Sequence, residues 1–543
     1  MCKEELKEIE NRNEQSELAK ERSREKNRKY IEWQHLTRDQ KEVAKRIIEN
    51  NYEFLQGADW GFLDNFIIFL KEIGFLKVLD ISGEGYERKM ITIAKLLMTY
   101  NMKILRGIAK MGQVPDMLFK DTGLLMLLGF TARQIKNGVC KRSKKRGKKR
   151  KGPISKDTLS DVLDRISTEE IEGIINGSVQ ILNEGGFIDD AIYICDSTDI
   201  ETTEECHGCG RKTVKEEHIN KKTGEKKETE KTTYGFKLIV IRGVNSGMVV
   251  SAKMAKIEES EKNYTLSLIK QAEKNIGKKI RVLLLDRGFM AGTTLWKINK
   301  GFEADFVIPA ITTMDVTKDA RGLRNSTGEN IWREATKDIE AVGIKGLVSY
   351  DQYGDEEHNK KNKHSKDFVA NPINVVMVTR WKNVIYKHGE EKVFLTSLRV
   401  DNPVSVINKY KLRSLIENTT FRELKQGWLI NSIPKKTEAA VRSHAFLTIC
   451  MFNMSKAYRS KLGNEITEEG IIRFRRTTDL QTRNTTVIIA EEHYAIFDLE
   501  ELAILWGKPP KYFMRVDPDI FRREYKSVLE TSSSIEKEEK EKI

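Results

Sequence analysis

The chain has 543 residues, a formal net charge of +14 and a charged fraction of 32%. That length exceeds one ordinary domain, and the basic excess favours a polyanionic partner such as nucleic acid, although a lysine-rich composition bias would give the same charge. Six cysteines exclude a disulfide framework. The charged N-terminus lacks the apolar core of a secretory signal, and the apolar stretches are too short or too charged to span a bilayer, so we expect a cytoplasmic protein with no membrane association.

The N-terminal part of the chain carries helical patterns. Residues 1–50 are strongly charged and helix-prone, and residues 51–140 repeat apolar side chains at helical spacing with little strand signal. We therefore predict a charged helical N-terminus followed by a helical bundle.

A basic run opens the next segment, residues 141–186. Nine of the eleven residues from Lys141 to Lys151 are Lys or Arg, and like-charge repulsion together with Gly147 and Gly152 predicts a loop, which a helical linker follows. We expect this loop to contact a nucleic-acid backbone, while a solvated basic loop or a localisation signal is the alternative. The cations concerned are Lys144, Lys145, Arg146, Lys148, Lys149 and Arg150.

Strand signals begin at about residue 187. Apolar runs rich in β-forming residues predict five strands: 191–195, 235–243, 247–254, 281–285 and 304–309. Helical patterns separate the last three strands, and the order β-β-β-α-β-α-β predicts a mixed sheet with helices, an α/β core over residues 187–309. A β-rich insertion is expected over 310–400 and helices over 401–460. A C-terminal region, 461–529, precedes a polar tail, 530–543, that we expect to be disordered.

Two carboxylates directly follow strands of this core. Asp196 comes after the run AIYIC, and Asp286 comes after VLLL. An Asp at a strand end is often only a turn or cap residue, but two from one sheet place both carboxylates at its carboxyl edge, where open α/β sheets build their sites. Close carboxylates repel each other unless a cation lies between them, and oxygen ligands suit Mg²⁺ or Mn²⁺.

A third acid lies in a predicted helix over residues 410–428. Tyr410, Arg413 and Glu417 are spaced so that they share one helix face. A phenol, a guanidinium and a carboxylate on one face suit a phosphodiester held beside a metal, and a solvated face with an Arg–Glu pair is the alternative.

Three sequence blocks together resemble a known family: CDSTDIETTE (195–204), VLLLDRGF (282–289) and YKLRSLIENTTFRELKQGW (410–428). The chain is similar to the DDE transposases of bacterial and archaeal insertion sequences, in the branch with a β-rich insertion and a Tyr-Arg-Glu-Lys signature. The resemblance implies a ribonuclease H-like catalytic core, a helical DNA-binding region over 51–140, and two divalent metals, Mg²⁺ or Mn²⁺, per active site. It also implies that Asp196 bridges both metals, and that Asp286 and Glu417 hold one each.

The resemblance further assigns Tyr410 and Arg413 to DNA contacts, but the Lys of the signature departs from the usual spacing. One extra residue separates Glu417 from Lys425, and the usual slot holds Leu424. In a regular helix an eight-residue step lands roughly 80° off the Glu417 face, whereas a seven-residue step returns to roughly −20°. We expect a π-bulge near 418–421 or a helix break to return Lys425 to the Glu417 face. Lys425 is then our candidate for a contact with a DNA phosphate. A regular helix would favour Arg422 instead.

Other residues leave alternatives open. Asp199 is the alternative to Asp196 as first acid, although Asp196 abuts the strand. Cys206 and Cys209 form half of a tetrahedral zinc site, with His218 as a further ligand, but a plain turn is the favoured interpretation. Trp381, between two cations, could stack on a flipped base or be an ordinary packed side chain.

The function expected from the resemblance is cleavage and strand transfer at transposon ends. Its partners would be double-stranded DNA, namely terminal inverted repeats and target DNA, with a homodimer on the DNA and a prokaryotic, nucleoid-associated location. A divalent-metal nuclease that cuts without joining is one alternative. A catalytically silent DNA-binding derivative is another, and the presence of all three acids argues against it.

Overall fold

The computed structural model describes residues 36–58, 63–81, 91–139, 152–219, 226–362, 369–462, 485–507 and 517–530. The chain divides into two compact units. One consists of residues 1–170 together with 468–543, and the other of residues 171–467. Among the described residues, no helix is long and apolar enough to cross a membrane.

The N-terminal part of the first unit is mostly helical, with two short strands, β1 (Thr37–Arg38) and β2 (Phe54–Ala58). Its α-helices are Gln40–Ile48, Leu63–Glu72, Phe75–Val78, Ile93–Leu105, Val114–Met117, Thr122–Leu127, Ala132–Asn137 and Lys156–Arg165. The prediction of a helical N-terminal region is confirmed, and the short strand β2 is an exception within residues 51–140. This strand forms because β14, from the C-terminal part of the chain, supplies its pairing partner. The local sequence pattern of a short apolar run does not indicate whether a distant strand will pair with it.

The second unit begins with the helix Thr168–Glu184, whose first residues still belong to the first unit. Its strands are β3 (Ile192–Thr202), β4 (Gly210–Ile219), β5 (Lys226–Gly243), β6 (Val249–Lys256), β7 (Val282–Leu285), β8 (Asp305–Pro309), β9 (Ile331–Ala335), β10 (Ile339–Leu347), β11 (Ile373–Trp381), β12 (Val384–Ile385) and β13 (Lys392–Thr396). Its α-helices are Thr265–Ile276, Gly292–Trp296, Asp315–Gly322, Glu356–Asn362, Pro403–Lys411, Arg422–Gln426 and Glu438–Leu462. The described residues of this unit also form two π-helical turns, Lys297–Gly301 and Ile416–Phe421, and two 3₁₀ turns, Glu261–Asn263 and Arg287–Phe289.

The strands of this unit form one mixed sheet in the order β4-β5-β3-β7-β8-β13-β11-β10-β9, with β6 paired to β5 and β12 to β11. β3, β7 and β8 run parallel, whereas β5 and β6 are antiparallel to their neighbours. The predicted hairpin is thus confirmed, and so is the ribonuclease H-like α/β core. The insertion is β-rich as predicted, and it joins the same sheet because β13 pairs with β8.

Helices cover this sheet and fix its strands. The helix Thr265–Ile276 packs on β5 and β6, and the long helix Glu438–Leu462 packs on β6. The Asn453 side chain of the long helix donates to the Val249 carbonyl at 2.8 Å and accepts from the Val249 N–H at 3.0 Å. This pair of hydrogen bonds between a helix side chain and a strand backbone defines the position of the helix along β6.

The C-terminal part of the chain returns to the first unit. β14 (Thr485–Ala490) and β15 (His493–Asp498) precede the helices Leu499–Leu505 and Pro518–Glu524. They complete a four-stranded sheet in the order β1-β15-β14-β2. Its core contains the buried side chains Val43 and Ile47 of the N-terminal part beside Phe497 and Phe521. The first unit is therefore built from both ends of the chain.

Candidate active site

Asp196 and Asp286 lie on neighbouring parallel strands. The register of β3 and β7 sets Cys195 level with Leu285, so each carboxylate follows a matched pair of residues. Asp286 ends β7 as predicted, but Asp196 lies inside β3, which continues to Thr202. The prediction that Asp196 ends its strand is wrong because β5 keeps pairing with β3 after β7 has stopped.

Arg413 lies among three carboxylates. Its Nη1 donates to Asp196 Oδ2 at 2.6 Å, and its Nη2 donates to Glu417 Oε1 at 2.9 Å and lies 4.0 Å from Asp286 Oδ1. Glu417 Oε1 and Asp286 Oδ1 both approach Nη2 of Arg413. The distance between these two oxygens is therefore less than the sum of 2.9 Å and 4.0 Å. The fold thus brings all three acids named from the sequence around one guanidinium.

The three acids differ in exposure. The Asp196 side chain is 10% exposed, against 44% for Asp286 and 54% for Glu417. The pKa of Asp196 is raised to about 6, chiefly because burial disfavours the charged form. The charges of Asp286 and Glu417 raise it too, while the Ser197 N–H and Arg413 lower it. A buried acid with this environment is stabilised in its charged form by an added cation.

The donor set fits a hard divalent metal in chemistry and charge, because three carboxylates face one guanidinium and leave an excess of negative charge. Among the described residues, no group of three or more Asp, Glu, His or Cys side chains is close enough to hold a metal ion as it stands. Arg413 explains that separation, since its guanidinium lies between the carboxylates.

Asp199 lies on the other face of β3. Side chains alternate along a strand, so a three-residue step reverses the direction of the side chain. In the register, Asp199 is opposite Lys237 and Asp196 is opposite Val240. Lys237 binds Glu261 at 3.0 Å, and Ser197 also donates to Glu261. Asp199 therefore shares its face with that ion pair and not with the Arg413 cluster.

The segment that carries Tyr410, Arg413 and Glu417 is not one regular helix. The helix Pro403–Lys411 ends before Arg413, and the next turns are overwound, with i→i−3 bonds such as Arg413 N–H to Tyr410 C=O. Tyr410 nevertheless lies near the site. Burial raises its pKa, and Asp286 and Asp196 add to that rise while Arg413 opposes it.

The predicted π-bulge after Glu417 is confirmed. Residues Ile416–Phe421 form a π-helical turn before the α-helix Arg422–Gln426. A π-turn accommodates one more residue than an α-turn, so it offsets the extra residue before Lys425. Leu424 is fully buried, Lys425 is half-buried and Arg422 is exposed.

Arg242 of β5, which was not named from the sequence, contacts Thr419 of the π-turn. The Thr419 hydroxyl donates to the Leu415 carbonyl, and Arg242 Nη1 donates to Thr419 Oγ1 at 3.4 Å. Arg242 is opposite Ile194 in the β3–β5 register, so it shares the sheet face of Asp196. The sequence did contain a signal for Arg242, because this residue interrupts the apolar run of β5. A buried Arg in an apolar strand needs a polar partner.

Trp381 is half-buried at the end of β11. Lys411 Nζ lies 4.9 Å and Lys392 Nζ 5.7 Å from its ring centroid. The sequence neighbours take other roles, because Arg380 donates to backbone carbonyls of residues 336 and 337, and Lys382 is exposed. The cations beside this ring thus come from other elements.

Two further predictions are not decided by geometry. Cys206 is buried and Cys209 half-buried in a turn, both as free thiols, and the His218 side chain is outside the described residues. Zinc binding there stays a prediction. The basic run 141–151, with Lys144, Lys145, Arg146, Lys148, Lys149 and Arg150, also lies outside the described residues.

The second unit has a mixed ribonuclease H-like sheet with three acids gathered beside its central strands β3 and β7. This combination is that of a ribonuclease H-like domain with a carboxylate site. Residues 188–454 match the family described as Transposase DDE domain, a stretch that begins just before β3 and ends within the helix Glu438–Leu462. Comparison with curated proteins gives no significant match. Residues 188–454 of the chain therefore form a transposase DDE domain.

Proposed function

We propose that this transposase cleaves the DNA ends of a prokaryotic insertion sequence and joins them to target DNA, with Asp196, Asp286 and Glu417 as its catalytic acids. The observation that carries this proposal is the approach of all three carboxylates to the one guanidinium of Arg413. These three acids come from two strands and a helical segment and are up to 221 positions apart in the sequence. Carboxylates repel one another, so their approach to one point needs positive charge at that point.

The three acids would hold two divalent ions, Mg²⁺ or Mn²⁺. When bound, such ions activate a water or a DNA 3′-hydroxyl and stabilise the leaving oxygen, so no nucleophilic side chain is required. Asp196, Asp286 and Glu417 would together supply the carboxylate oxygens that hold these ions. The Arg413 guanidinium would then no longer pair with the carboxylates and would bind a phosphate oxygen. Its planar arrangement of N–H donors suits such a contact.

The remaining residues would act on the DNA itself. Tyr410 and Lys425 would contact phosphates near the cut, and Trp381 would stack on an unpaired base with Lys392 and Lys411 close to its ring. The basic run 141–151 would bind the backbone further away. Terminal inverted repeats and target DNA would be the substrates, bound by a homodimer on the DNA.

Incubation with duplexes that carry the flanking inverted repeats, in Mg²⁺, tests the proposal. The wild-type protein should nick the ends and transfer them to a second duplex. Asp196→Ala should abolish cleavage and leave end binding largely intact, whereas Asp199→Ala, on the opposite face of β3, should retain cleavage. Cleavage without transfer would support a nuclease, and binding with no cleavage by the wild-type protein would support a silent derivative.

A further inference from the structure

β4 and β5 extend past the sheet as a two-stranded ribbon. β3 pairs with β5 only over residues 234–243, and β6 only over 236–242, whereas β4 pairs with β5 over 226–235. Among the described strands, residues 226–233 of β5 thus have β4 as their only neighbour. A ribbon of this kind is marginally stable alone in water, so contact with a partner would stabilise it.

The register assigns each ribbon residue to one face of the sheet. Thr202 of β3, Tyr234 of β5 and Arg211 of β4 are aligned in one row, six residues along β3 from Asp196. Directly opposed side chains share a face, and an even step along a strand keeps it. Arg211 and the next such residue, Thr213, therefore lie on the face of Asp196, while Lys212 lies on the other face.

The spacing along the strands gives the distance from the active site. Six residues at about 3.3 Å each place the Arg211 row about 20 Å from Asp196, and eight residues place the Thr213 row about 26 Å away. A duplex rises about 3.4 Å per base pair. For a duplex that runs along the strands from a phosphate at the acids, the Arg211 row lies at about six base pairs from that phosphate. The Thr213 row lies at about eight base pairs.

The described side chains of the ribbon suit a phosphate backbone. Arg211, Thr213 and its cross-strand partner Thr232 are exposed, and the two hydroxyls lie 3.1 Å apart. Guanidinium and hydroxyl groups are the usual donors to DNA phosphates. The exposed charged side chains described here are three cations, Arg211, Lys212 and Lys231, and one acid, Glu230. The charge balance thus favours a polyanion over a second copy of this basic chain.

We propose that the β4–β5 ribbon is a DNA-binding arm that contacts the duplex beside the cleavage site, through the face that carries Arg211, Thr213 and Thr232. The inference rests on the proposed function, which locates the cut at the three acids. It adds a second contact region, which fixes the direction in which the duplex leaves the active site.

Paired substitutions on one strand test this arm. Arg211→Ala should reduce the log–log salt slope of DNA binding by roughly 0.9, the value of one phosphate contact, whereas Lys212→Ala, the matched change on the opposite face, should leave it unchanged. The probe is a fluorescein-labelled duplex that extends beyond one helical turn on each side of the cut. Equal slopes for the two variants would overturn the proposal.

Hydroxyl-radical footprinting locates the contact and separates the two proposals. It is performed in the Asp196→Ala background, with the cut mapped by the wild-type protein. We expect protection about six to eight base pairs from the cut, and we expect it to disappear in Arg211→Ala and when a two-residue Asn-Gly turn replaces residues 213–232. Unaltered protection in both variants would overturn the ribbon proposal even if wild type cleaves. Loss of protection in both, with no cleavage by wild type, would overturn the proposed function alone.

Discussion

Replacing Asp196 by Asn should stabilise the metal-free protein at alkaline pH while abolishing cleavage. Burial raises the pKa of Asp196 to about 6 from its ordinary value of 3.8. The folded state therefore binds a proton more tightly than the unfolded state. The resulting stability is fully present below about pH 4 and is lost as the pH rises through 6. About two pKa units correspond to about 3 kcal/mol, and the uncharged Asn avoids this loss.

Urea unfolding in divalent-free buffer measures the effect. At pH 8 the Asp196→Asn variant should exceed the wild type by up to about 3 kcal/mol in free energy of unfolding, and near pH 4 the difference should vanish. Asp199→Asn is the matched control, since it makes the same change on the opposite face of β3, away from the Arg413 cluster. If Asp196→Asn is less stable than wild type at pH 8, the ion pair with Arg413 outweighs the desolvation of the carboxylate, and our reasoning is wrong.

Three further predictions concern DNA contacts and the π-turn. Lys425→Ala should reduce the rate of end cleavage more than Arg422→Ala, because the π-turn offsets the extra residue between Glu417 and Lys425; the reverse order in single-turnover assays would contradict this. Thr419→Val should raise the Mg²⁺ concentration needed for half-maximal cleavage and speed amide exchange in the π-turn, whereas Thr419→Ser, which keeps the hydroxyl, should restore both. Neutralising the basic run 141–151 should flatten the salt dependence of binding by roughly 0.9 for each DNA phosphate that the run neutralises, and an unchanged slope would identify a solvated loop.

The α/β core could be predicted from the sequence because its strands have strong local patterns. The runs around β5 and β6 are apolar, β-branched and joined by a Gly-containing turn, so both the hairpin and its position follow from short-range patterns. The π-turn was predictable for another reason. The resemblance fixed an expected spacing after Glu417, and helix geometry then showed that one extra residue needed a local distortion.

Features that depend on distant partners could not be predicted in this way. β1 pairs with β15, setting Thr37 opposite His493, and nothing in either short segment indicates the other. The same holds for Arg413. Its sequence position indicated a helix face shared with Glu417, but its place between Asp196 and Asp286 depends on the register of β3 with β7 and on the overwound turn after Tyr410.

The π-turn also bears on how such proteins are found. A single inserted codon inside a helix would ordinarily rotate every later side chain by about 100° around the helix axis. Here the turn Ile416–Phe421 absorbs the insertion within a few residues, and Leu424 remains fully buried immediately after it. Search patterns that demand a fixed interval between Glu417 and the following Lys would reject this chain. Allowing one length variant at that interval would admit relatives whose helices have taken up an insertion in the same manner.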